Sequence, residues 1–70
     1  MPNKIVLQSR ERLAYLLENG EWTARAEEAL QFRTAREAEE HCRAKVLKEA
    51  DIVVLRPNQP PLRIRISMTL

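Results

Sequence analysis

Glycine, cysteine and aromatic residues are all scarce in this 70-residue chain: one Gly, one Cys, and one each of Trp, Tyr and Phe. Each scarcity excludes something. A lone Gly20 leaves no glycine-rich loop to cradle a phosphate. A lone Cys42 closes no internal disulfide, which fits a reducing compartment. With His41 the only histidine, a zinc site would need carboxylates or a second chain, so no metal and no cofactor is expected. Three aromatics give little material for stacking bases. No apolar run approaches the roughly 20 residues that cross a bilayer. The apolar run at Ile5-Val6-Leu7 is too short for a secretory leader. The expected location is therefore the cytoplasm of a cell, with no membrane partner.

Acidic residues are also missing from one part of the chain. Residues 52–70 carry Arg56, Arg63 and Arg65 and no acid, a charge of +3. Residues 1–12 carry Lys4, Arg10 and Arg12 against Glu11, a charge of +2. The middle, 13–51, holds six bases against nine acids, a charge of −3. The expected strands are basic and the expected helix region acidic. Such an asymmetry speaks to surfaces and partners.

What remains is an ordinary globular composition, 44% hydrophobic and 31% charged. Residues 1–70 make a single domain whose core supplies only about 3–5 kcal/mol of net stability. A domain that small often gains stability from a second copy of itself, so a homodimer is expected.

Asn19-Gly20 is a strong hairpin signal and predicts a type I′ turn, with positive φ at both residues. Leu13, Tyr15 and Leu17 alternate before it, and Glu21-Trp22-Thr23 forms a short second arm. Lys4 to Ser9 reads as a strand with Ile5 and Leu7 on one face, and Ser9-Arg10-Glu11 as the following turn.

Neither Gly nor Pro occurs between Glu21 and Arg56, and Thr34-Ala35-Arg36-Glu37 is a capping box that opens a helix. At about 100° per residue, Ala35, Ala38, Cys42 and Val46 fall on one stripe, with Ala50 at its edge. The helix is placed over about residues 35 to 49. Arg36/Glu40 and Glu39/Arg43 stand four residues apart and would pair on its exposed flanks. Ala24 to Arg33 has two readings. One is an irregular or single-turn segment that brings Leu30 and Phe32 onto the core; the other is one helix of roughly 30 residues starting at Trp22.

Ile52-Val53-Val54-Leu55 reads as a central strand and Pro57 to Pro61 as a loop. Leu62, Ile64, Ile66 and Met68 then alternate with Arg63, Arg65, Ser67 and Thr69 in a last strand with one wet face. The expected fold is α+β, a four- to five-stranded, mainly antiparallel sheet with one helix packed on one face, in the order β-β-short β-α-β-β. Its core should include Ile5, Leu7, Leu13, Tyr15, Leu17, Trp22, Phe32, Ala38, Cys42, Val46, Val54, Ile64 and Ile66.

The chemistry-bearing residues do not converge. His41 and Cys42 point about 100° apart on a helix, with Cys42 on the apolar stripe and His41 toward Glu37 or Lys45. Glu27-Glu28 and Glu39-Glu40 are neighbours that diverge in the same way, whereas acid–base work needs carboxylates facing one substrate. An enzyme is not expected.

If Ile64 and Ile66 face the helix, Arg63 and Arg65 face away, where Lys4, Gln8 and Arg10 share the outer surface. Lys4, Arg10, Arg63 and Arg65 would then bind the phosphates of a nucleic acid. Val6, Leu16 and either Val53 or Leu55 would share that face as an exposed apolar patch, the mark of a protein interface. The leading expectation is a non-catalytic protein-interaction module or homodimer, paired face to face or edge to edge; nucleic-acid binding is the alternative.

The spacing Trp22-Thr23, Ala29, Phe32, Thr34 and Glu37-Ala38 after Asn19-Gly20 resembles that of a type of small uncharacterised bacterial protein. The likeness covers about residues 13–55. It implies a hairpin ending in Trp-Thr, a short crossing segment anchored by Ala and Phe, and a helix opening with Glu-Ala. It implies no activity and transfers no site residue.

Overall fold

The computed structural model describes residues 3–47 and 49–66. Five strands form one antiparallel sheet in the spatial order β3-β2-β1-β4-β5, with one helix against it. The strands are β1 (Lys4–Ser9), β2 (Tyr15–Leu16), β3 (Trp22–Thr23), β4 (Ala50–Leu55) and β5 (Leu62–Arg65). The helix α1 (Ala35–Ala44) lies over β1 and β4. A single 3-10 turn at Ala26–Glu28 precedes it, so the short-segment reading of Ala24 to Arg33 holds and the long helix does not.

The β1–β2 turn is longer than Ser9-Arg10-Glu11. Ser9 N–H donates to Ala14 O, Leu13 N–H donates to Ser9 O, and Leu13 sits at φ 55. The Ser9 hydroxyl accepts from Arg12 N–H and braces the loop. Leu13 is thereby used up in the turn and two-thirds exposed, at 66%. With a period of two, that shift reverses the faces of the whole strand. Leu16 opposes Trp22 on the helix side, and Tyr15 opposes Gln8 and Thr23 on the other. The expected inward set of Leu13 and Tyr15 is therefore corrected to Leu16.

The hairpin itself forms, but through a three-residue loop. Gly20 N–H donates to Leu17 O and Leu17 N–H to Glu21 O, while Gly20 alone has positive φ, at 89°. This is a type I turn followed by one left-handed residue, and it replaces the expected type I′ turn.

Thr34 caps α1 as expected, its hydroxyl accepting from Glu37 N–H at 3.1 Å. The Glu37 carboxylate reaches Arg33 N–H, at 3.2 Å. Arg36–Glu40 and Glu39–Arg43 pair at 3.3 and 3.4 Å. The helix stops at Ala44, short of residue 49. Leu47 N–H donates to Cys42 O and Val46 N–H to Arg43 O, the double closure of a Schellman motif, with Val46 in the left-handed position at φ 54. Val46 therefore turns outward, and Ala50 joins β4 and not the helix stripe.

The main core joins Leu7, Leu16, Ala38, Cys42, Ala50, Ile52 and Ile66, with Ile5, Trp22, Phe32, Ala35 and Leu47 packed around it. The small side chains on α1 let it lie close to the sheet. Where β2 diverges from β1, residues 30–32 fill the gap: Leu30 N–H donates to Leu16 O and Phe32 N–H to Ile5 O. Val54 is half-buried, and Ile64 is exposed rather than central. Met68 and Thr69, which continue the expected alternation, lie outside the described residues.

Candidate functional site

The sheet face away from α1 follows from strand parity. Lys4, Val6 and Gln8 of β1, Tyr15 of β2, Asp51, Val53 and Leu55 of β4, and Arg63 and Arg65 of β5 share it. Its apolar part is closed. Val6 and Val53 are 0% and 2% exposed, packed with Ala29 from the crossing segment and with Tyr15 and Leu55. The expected open patch of Val6, Leu16 and either Val53 or Leu55 thus does not form: Leu16 lies on the other face, the chain's own connection covers the two valines, and Leu55 is half-buried against them.

The expected basic residues do meet on this face, but around an acid. Asp51 is buried, 1% exposed, and it accepts from Arg10 at 2.6 Å and from Arg63 at 2.9 Å. Arg63 also donates to the Gln8 side-chain carbonyl. The fork geometry of guanidinium suits this bridging of a carboxylate and an amide. Arg10 and Arg63 are consequently held to β4 by the one carboxylate. Lys4, Arg10, Arg63 and Arg65 stand against Asp51 and against Glu49, which lies opposite Arg10 in the same register, so the face keeps a net charge of +2. Arg65 is exposed and makes no ion pair with any described residue. Asp51 was legible in principle, as an acid two residues before Val53 in the same strand register. Counting it with the helix region by chain position hid it.

The second feature is the edge of the sheet. β5 is terminal in the strand order, and no described segment pairs with its outer side. On the helix side its Leu62 and Ile64 are 46% and 38% exposed, because α1 covers β1 and β4 and stops short of β5. Backbone directions follow from the alternation of antiparallel bonding. Ser9 N–H and Ile5 C=O bond on the β2 side of β1, and Arg10 N–H bonds to Glu49 O on the β4 side. Asp51 and Val53 therefore bond to β1, and Ile52 and Val54 bond to Ile64 and Leu62. The N–H and C=O groups of Arg63 and Arg65 point to the open edge.

His41 and Cys42 separate as their spacing requires. The Cys42 thiol is buried in the core and donates to Leu47 O at 3.1 Å. Burial pushes this thiol above its ordinary pKa, with the positive charge of Arg43 opposing the rise. A thiol so held is a poor nucleophile. The His41 ring packs on Phe32, with centroids 5.3 Å apart, instead of meeting Glu37 or Lys45. Two shallow depressions flank Leu47 near the end of α1. One of about 270 Å³ is bordered by Ser9, Trp22 and Val46, the other, of about 310 Å³, by Leu16, Asn19, His41 and Lys45. Glu11 and Glu49 also border the first, where the Ser9 hydroxyl accepts from Arg12 N–H. Among the described residues, no three His, Cys, Asp or Glu side chains stand together as metal ligands, and no helix is long and apolar enough to cross a membrane.

Comparison with protein-family models, with curated proteins and with solved structures finds no match to this chain.

Proposed function

We propose that the protein is a non-catalytic interaction module that takes up an extended segment along the free edge of β5. The supporting observation is the combination at one strand of backbone groups that no described residue pairs, at Arg63 and Arg65, with two large apolar side chains left half-exposed, Leu62 and Ile64. An added strand would hydrogen-bond to the first and cover the second, the usual basis of strand addition to a sheet. An open apolar edge is otherwise a liability. The reading is tested by replacing Ile64 with Lys and by placing Pro at Arg65. Both variants should fold as judged by circular dichroism and should lose co-purifying or added strand partners. Unchanged partner binding in both would refute it.

Nucleic-acid binding has its own support, because Tyr15 joins Lys4, Arg10, Arg63 and Arg65 on the basic face. A base could stack on Tyr15 while the cations meet phosphates. Two of the four cations are engaged with Asp51, which weakens this reading relative to the first. A salt-sensitive mobility shift that disappears with Lys4→Ala plus Arg65→Ala would establish it; no shift at low salt would dismiss it.

A further inference from the structure

Resting on the reading of β5 as a docking edge, we infer that its occupant is a segment of another protein in which acidic and apolar side chains alternate, and not a second copy of this chain. The open backbone groups of β5 belong to Arg63 and Arg65, whose side chains lie on the outer face. In an antiparallel pair, residues that exchange backbone bonds stand directly opposite one another. Among the described residues, a second copy added antiparallel to β5 would therefore set Arg63 and Arg65 against its own Arg63 and Arg65, or against Pro61, which has no N–H to give. Like charges directly opposite destabilise a strand pair. Shifting the copy by one residue would bring Leu62 and Ile64, whose backbone groups are already bonded to β4, to the bonding positions.

An acidic residue opposite Arg65 meets the reverse situation. Arg65 is exposed and makes no ion pair with any described residue, and the face around it carries a net charge of +2. The flanking positions of such a segment fall opposite Leu62 and Ile64 on the helix side, in the non-hydrogen-bonded sites where cross-strand side chains come closest. Apolar side chains there cover the two residues that α1 leaves half-exposed. One strand thus specifies both halves of the pattern, acid on one face and apolar on the other. Complementary charge selects the partner, and the same arginines repel the wrong one.

The test uses the intact protein and two blocked peptides of alternating Val and Glu or alternating Val and Lys, followed by fluorescence anisotropy, with sedimentation of the protein alone. The Glu peptide should bind and the Lys peptide should not. Affinity should fall on raising salt, and Arg65→Glu should weaken it at least about fivefold. Arg65 is chosen because Arg63 also anchors Asp51, so that changing it would disturb the fold. Equal binding of the two peptides, or a protein that binds neither and sediments as a dimer dispersed by Ile64→Lys, overturns the partner inference while leaving the docking edge intact. A monomer that binds neither peptide overturns both.

Discussion

The two faces of the sheet are buried by different means. On the helix side, Leu7, Leu16, Ile52 and Cys42 pack under α1 in a dry apolar core. On the other side the buried apolar side chains among the described residues are Val6, Val53 and Ala29. The rest of that face is closed by Gln8 and Asp51 beneath two arginines. One face draws its stability from area removed from water, at about 25 cal/mol per Å². The other depends on a carboxylate whose desolvation is offset only while both guanidinium groups stay in place. A thin covering segment and a charge network there do what a second helix does in a three-layer fold. The outer face is therefore the more fragile of the two, and it is also the one that presents charge to a partner.

That contrast can be broken at its weakest point. Arg10→Ala together with Arg63→Ala strands the buried Asp51 carboxylate without either guanidinium and should cost about 3–5 kcal/mol. A domain of this size holds about that much in total. The variant should be largely unfolded at 25 °C by circular dichroism; a urea midpoint near that of the parent protein would show the network to be ornamental. Leu7→Ala tests the opposite face and should cost about 3 kcal/mol through the cavity it leaves, read from the same urea midpoint. If it costs clearly more than the double arginine variant, the ranking of the two faces is reversed.

A change outside both faces should raise stability. Val46 closes α1 with φ 54, a conformation in which a β-branched side chain is strained. Val46→Gly should stabilise by about 1 kcal/mol and raise Tm by several degrees. The smallest effect belongs to the exposed helix flank. Arg36→Ala removes a pair in which the Arg is 88% exposed. It should change stability by no more than about 0.5 kcal/mol.

Much of the architecture was legible because it is local. The order of elements, the cap at Thr34, the stripe of Ala35, Ala38 and Cys42, and the outward arginines of β5 all follow from periodicity within one segment. The misplacements arise where one residue's backbone decides a register. Leu13 and Val46 each adopt positive φ without being Gly or Asn, and each cuts short an apolar pattern that reads as continuous. Leu13 turned β2 over and exchanged Tyr15 for Leu16 in the core. Ile64 obeys its pattern but lies beyond the reach of α1, which no single segment reveals. At the candidate site the basic residues were visible, whereas their convergence on Asp51 depends on the pairing of β1, β4 and β5. The open edge required the full strand order.

Amide hydrogen exchange along β5 tests most directly whether that edge is open. Leu62 and Ile64, bonded to Val54 and Ile52 of β4, should be protected, while Arg63 and Arg65 exchange at close to solvent-exposed rates. Addition of an acidic strand peptide should then slow both arginine amides. Four equally protected amides in the protein alone would contradict this, because they would place another strand on the edge already.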